Sequence, residues 1–232
     1  YFVHEFHQRA ALVDLDLHFG NLALSLDLDP GRGLREALEN PERIDGILLA
    51  SAMASESERL KVLAGEEALD ETLHFQVDAL GPVFGSLGEE FDQLVIDLPR
   101  LLNDTARQLI AAADQFVIVT DLSITGLRDT LRLSDLAKRL GKEKPLVIAS
   151  QVGATHRGEV SQREFERGIG AGVDLSISFD PKAAVAMSRH GKALPAAARK
   201  SRAASDLLAL AQQLSGREAA GKKRSVLGRL WR

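Results

Sequence analysis

The chain has 232 residues, with 29 Lys and Arg against 33 Asp and Glu, a formal charge of −4 and a hydrophobic share of 45%, the profile of one globular domain of moderate size. Cysteine is absent, which excludes disulfides, cysteine-ligated zinc and thiol nucleophiles. No apolar run reaches the roughly 18 residues of a membrane span, and the N-terminus lacks the layout of a signal peptide, so a cytoplasmic location is expected.

Short runs rich in Val, Ile and Leu alternate with amphipathic segments. The strands expected are Ala11–Asp16, Gln93–Asp97, Gln115–Thr120, Pro145–Ser150 and Asp174–Phe179, each apolar enough to be buried on both faces. Helical periodicity marks Leu34–Leu38, Pro41–Met53, Thr105–Ala113, Ile124–Leu140, Ser161–Ile169, Pro181–His190 and Ala203–Leu214. The least patterned stretch is Ala54–Gly88; Leu73–Val77 is a candidate strand within it, and Leu87–Phe91 completes a helix before the Gln93 strand. Strands alternating with helices imply βαβ units, hence an α/β fold with a mostly parallel sheet and helices on both faces.

Charge divides the chain at residue 216. Residues 217–232 hold six basic residues and one acid, leaving −9 on residues 1–216. A domain over 1–216 followed by a basic amphipathic tail over 217–232 is therefore expected. In the tail, Lys222, Lys223 and Arg224 accompany Leu227, Leu230 and Trp231, a layout suited to an anionic membrane surface or a protein partner. The acidic body argues against a nucleic-acid-binding core, so no specific nucleic acid is expected.

Ligands of open parallel sheets bind beyond the carboxyl ends of the strands. Two of these strands end in acids: Asp14-Leu15-Asp16, followed by Gly20-Asn21, and Leu94-Val95-Ile96-Asp97 before Leu98-Pro99. Strand alternation would put Asp14 and Asp16 on one side, where they can bear on a metal-bound phosphate or its attacking water. His4 and His7 are one helical turn apart but lack an acidic partner at matching spacing; a solvated helix face is their plain reading. Gly168-Ile169-Gly170-Ala171-Gly172 follows a helix and precedes a strand, the reverse of a dinucleotide fingerprint, and reads as a turn.

VALVDLDLHFGNLALSLDL, FDQLVIDLPR and ADQFVIVTDLSITGLRDTLRL together resemble the MinD/ParA-type ATPases with a deviant Walker motif. Within them, Gly88-Glu89-Glu90-Phe91-Asp92, SISFDPKAAVAMSRHGKAL and the ending KRSVLGRLWR are most similar to the CpaE/TadZ branch of pilus-assembly proteins. The resemblance implies a P-loop NTPase fold, ATP and Mg²⁺ as cofactors, and a homodimer switch serving a type IV (Flp/Tad) pilus secretion machine, at the pole or peripheral to the inner membrane face. It implies Asp97 as the Walker B carboxylate at the metal, Asp16 as the acid orienting the attacking water with Asp14 beside it, and Gly20 and Asn21 as a switch segment. It implies Asp180-Pro181 as a loop over the adenine, with Ser150 where the family has an adenine-reading Asn.

The family's K-G-G-x-G-K-[ST] loop does not occur in the 232 residues. Aligned to the family, Tyr1–Gln8 would lie in the helix that follows that loop, so the first strand is expected to be missing and the sheet left with aggregation-prone apolar edges. A non-hydrolysing localisation scaffold of the same fold is the alternative, and a DNA-segregation ParA a more distant one.

Overall fold

The computed structural model describes residues 1–31, 33–40, 49, 51–70, 80–154 and 158–215. Residues 1–8 form consecutive turns rather than a regular helix, with the Glu5 N–H donating to the Tyr1 carbonyl at 2.9 Å and the His7 N–H to the Val3 carbonyl at 3.1 Å. They lead into β1 (Ala10–Asp14). Beyond it come α1 (Leu22–Ser25), α2 (Gly33–Glu39), β2 (Ala54–Ser55), β3 (Leu60–Leu63), α3 (Leu80–Glu90) and β4 (Gln93–Asp97). The second half holds α4 (Asp104–Ala112), β5 (Val117–Thr120), α5 (Ile124–Arg139), β6 (Leu146–Val152), α6 (Gln162–Ile169), β7 (Leu175–Ser178), α7 (Pro181–His190), α8 (Leu194–Ala197) and α9 (Arg202–Leu214).

Among the described residues the strands form two sheets, in the orders β2-β3-β1-β4 and β5-β6-β7. Every pairing is parallel except that of the two-residue β2 with β3. β1 is parallel to β3 on one side and to β4 on the other, with Asp14 opposite Asp97. Pairing on both sides explains why Ala10, Ala11, Val13 and Asp14 are all buried. Among the described residues β4 and β5 each pair on one side only, and there the expectation of strands buried on both faces fails: Val95 and Val119 are 42% and 66% exposed.

Under the first sheet, α2 contributes Leu34, Ala37 and Leu38, and α3 contributes Leu80, Val83 and Leu87, to a core shared with Ala11, Val13 and Leu63. The i, i+3, i+7 spacing puts the three α3 residues on one stripe, and each fully buried Leu is worth about 1.5–3 kcal/mol. In the second half, Phe165 of α6 is fully buried against Leu122 and Ala149. α6 starts in a capping box, with the Ser161 side chain accepting from the Glu164 N–H and the Glu164 carboxylate accepting from the Ser161 N–H, and ends at left-handed Gly170. The Gly168–Gly172 stretch is thus a helix end and a turn, as its sequence suggests.

β3 and its hairpin with β2 lie inside the poorly patterned stretch; four residues, LKVL, are too few to show a period. α1 and α8 span one turn each and leave no periodic trace. The candidate strand Leu73–Val77, most of the Pro41–Met53 helix and the tail over 217–232 lie outside the described residues. No helix among the described residues is long and apolar enough to cross a membrane.

Candidate functional site

β1 stops at Asp14, two residues earlier than expected, because Asp14 captures the chain that follows. Its Oδ1 accepts from the Asp16 N–H and its Oδ2 from the Leu22 N–H, both at 3.1 Å. The first bond bends the backbone out of the strand; the second ties down the start of α1. Asp14 is 2% exposed, so both oxygens are spent on backbone donors in a site with little water. Gly20 is dictated by this turn: a Cβ there would lie 2.5 Å from each Asp14 oxygen and collide with the Asp16 carbonyl, which accepts from the Gly20 N–H.

Asp16 therefore sits in the turn, not on the strand beside Asp14. One of its oxygens accepts from the Phe19 N–H at 3.1 Å, and the side chain is half-buried. Asn21, exposed, occupies the N-cap position of α1 without a side-chain capping bond. Asp97, at the end of β4, is exposed at its tip, and its carbonyl accepts from the Leu15 N–H at 3.0 Å, which holds the two strand ends together. Partial burial raises the Asp97 carboxyl above the usual carboxylate range, and the charges of Asp14 and Asp16 push it further in the same direction. The structure thus brings Asp14, Asp16, Asp97 and Gly20 together at one sheet edge.

Ser150, Asp180 and Pro181 belong to the other sheet. Ser150 precedes an irregularity in β6 where Gln151 adopts φ 58° and Gly153 φ 93°, and the Phe179 N–H donates to the Val152 carbonyl at 2.9 Å just before Asp180. The two positions therefore stand at the carboxyl ends of neighbouring strands. Asp180 is the N-cap of α7, accepting from the Ala183 N–H at 3.0 Å, with Pro181 at the first helical position. A local structural reason thus exists for both residues.

A further acid ends a strand in the same way. Asp121 follows β5, and its Oδ1 accepts from the Ser123 N–H at 3.2 Å and from the Ser123 hydroxyl, while Ser123 caps α5 by accepting from the Gly126 N–H at 2.9 Å. A Cβ at Gly126 would come within 2.6 Å of that same Asp121 oxygen, so the packing repeats that of Asp14 and Gly20. The signal was present, since Val117-Ile118-Val119-Thr120-Asp121 is another apolar strand running into Asp. Among the exposed large apolar residues, Phe19 and Leu24 follow β1, Leu101 follows β4 and Ile124 follows β5, each at least 74% exposed.

Among the described residues no group of three His, Cys, Asp or Glu side chains is disposed to hold a metal. Mg²⁺ commonly takes one or two carboxylates and completes its shell with phosphate oxygens and water. Asp97 and Asp16 suit that partial role, and the repulsion from Asp14 and Asp16 that adds to the effect of burial on the Asp97 carboxyl is what a divalent cation would relieve. The triphosphate is a different matter: the glycine-rich Lys motif whose backbone N–H groups cradle it does not occur in this sequence.

No protein-family profile matches the sequence. An uncharacterized ATP-binding protein of Methanocaldococcus jannaschii is 24% identical over 174 residues, 75% of this chain and 64% of the relative, so the match spans under two thirds of that protein. The ParA family ATPase of Chlorobium tepidum superposes with a TM-score of 0.80 at 20% identity, over 89% of this chain and 86% of its own. MinD of Pyrococcus horikoshii, solved with Mg-ADP, gives 0.76 at 22%, over 93% and 88%. MinD of Aquifex aeolicus gives 0.72 at 16%, over 94% and 89%. At such identities the likeness is one of fold, and the chain has the α/β fold of the MinD/ParA P-loop ATPases.

Proposed function

We propose that this chain is the switch-bearing part of a MinD/ParA-like ATPase, a dimer switch dependent on ATP and Mg²⁺ that localises or assembles a type IV (Flp/Tad) pilus secretion machine. One observation carries the nucleotide reading: Asp16 and Asp97 converge at the carboxyl edge of adjacent parallel strands, on a turn that buried Asp14 and obligate Gly20 lock in place. The similar ATP-binding protein and the MinD structure holding Mg-ADP support it.

When bound, Mg²⁺ would neutralise phosphate charge at this edge. Asp97 would hold the ion. Asp16, fixed by the Phe19 N–H, keeps one oxygen to orient a water. Asp14 positions that loop and is a positioning residue. The exposed Phe19, Leu24 and Leu101, on the segments following Asp16 and Asp97, suit a homodimer face that reports on the nucleotide. Ser150 and the Asp180-Pro181 cap would read the base. The pilus role rests on the sequence likeness of the segments around Asp92, Phe179 and Arg224. A membrane contact through Lys222, Lys223, Arg224, Leu227, Leu230 and Trp231, and a polar or peripheral location, belong to the same proposal.

Phosphate release by the whole protein tests it: Asp16→Ala and Asp97→Ala should each lower turnover at least a hundredfold, and unchanged turnover overturns the assignment. Ser150, at the position where an amide would read the adenine, favours a second reading, a non-hydrolysing scaffold of the same fold. Tight Mg²⁺-dependent binding of labelled ATP by these 232 residues would rule it out.

A further inference from the structure

A buried ion pair stands behind the Asp16 loop. Arg35, on α2, donates through Nη1 to Glu67 Oε2, and through Nε to Glu39 Oε1 one helical turn on, at 3.0 Å. The Glu67 side chain is only 8% exposed. Taking a carboxylate out of water is costly, and a buried Arg–Glu pair seldom adds net stability over apolar residues of the same volume. What it adds is direction, because the planar guanidinium fork fixes where its acceptors lie.

The pair directs the backbone of the loop. The Glu67 N–H donates to the carbonyl of Leu17, the residue after Asp16, at 2.9 Å. Leu17 is buried in the same core as Leu34 of α2. Gly65 lets the segment after β3 lie against both: a Cβ there would stand 3.3 Å from Leu17 Cδ2 and 3.9 Å from Leu34 Cβ. α2 is itself held closely, since a Cβ at Gly33 would collide with Ala52.

The Asp16 loop therefore has two anchors. Asp14 takes the N–H groups of Asp16 and Leu22, and Glu67, gripped by Arg35, supplies the donor for the carbonyl between them. A displacement of about 1 Å at a reacting group can cost about 100-fold in rate, so an acid that orients water needs such support.

We propose that Arg35 and Glu67 are positioning residues whose ion pair fixes the loop presenting Asp16; the reaction served by that loop rests on the ATPase reading above. Hydrogen exchange of single amides, followed by NMR on the whole chain, tests the placement without nucleotide. In Glu67→Leu the Phe19 and Gly20 N–H groups, which bond to Asp16, should exchange about tenfold faster while the amides of β6 keep their rates. The double variant Arg35→Met/Glu67→Leu separates positioning from stability. Apolar replacement of both partners should preserve the thermal melt, yet the same two amides should stay fast. Unchanged exchange in Glu67→Leu overturns the proposal. So does parental exchange in the double variant, because packing alone would then hold the loop. In phosphate release by the whole protein, both variants should lower kcat roughly 10- to 100-fold while KM for ATP moves less than about twofold. Loosened amides with parental turnover also overturn it. A parent protein that releases no phosphate refutes the ATPase reading alone, and the exchange rates then decide the role of the ion pair.

Discussion

Removing the Asp14 carboxylate should unfold the site from within. In Asp14→Ala, the N–H groups of Asp16 and Leu22 lose their acceptors beside a position that is 2% exposed. Each buried orphaned donor costs about 1–3 kcal/mol, so the variant should lose roughly 2–6 kcal/mol, a large part of the 5–15 kcal/mol typical of a domain. For a chain of this size that corresponds to a drop of about 4–24 °C in Tm. Asp16→Ala is the control. Its one bond, to the Phe19 N–H, lies at an exposed turn where water can replace it, so less than about 1 kcal/mol should be lost. Urea unfolding followed by circular dichroism measures both. Equal stabilities for the two variants would refute the claim that Asp14 builds the turn and Asp16 is left free to act.

Two further outcomes follow from the geometry. The folded Asp97 carboxyl is raised, so the folded state binds this proton more readily than the unfolded one; the resulting stabilisation is full below the ordinary Asp range and is lost as pH rises through the raised value. Asp97→Asn should therefore melt higher than the parent at neutral pH, with the gain shrinking as pH falls below that range, and a gain independent of pH in melting curves would contradict the cause given. Gly191→Ala puts a Cβ onto Asp27 at a residue whose φ is 56°, so it should destabilise by more than about 1 kcal/mol in urea titrations, and an unchanged midpoint would show that α7 and the α1 loop do not meet there.

The α/β class and the main parallel strands were legible in the sequence because their signal is local. A run such as Pro145–Ser150 exceeds what a surface segment tolerates, Leu94-Val95-Ile96-Asp97 is β-branched enough to pair as a strand, and Ile124–Leu140 repeats at helical spacing. The pairing of acids with strand ends was legible too, at Asp14, Asp16 and Asp97. The short elements β2, β3, α1 and α8 were not, since four residues or fewer define no period and their stability comes from neighbours.

What only the tertiary structure decided is the division of labour among residues that look alike in sequence. Asp14 and Asp16 differ by two positions, yet one is buried with both oxygens bound and the other is half-exposed with one oxygen bound. The difference arises from Leu22, eight residues beyond Asp14, which returns to donate to it, and that return depends on Gly20 lacking a side chain. Composition is a sum over the chain, but burial and field depend on which residues lie within a few ångströms, and that is settled only when the chain folds.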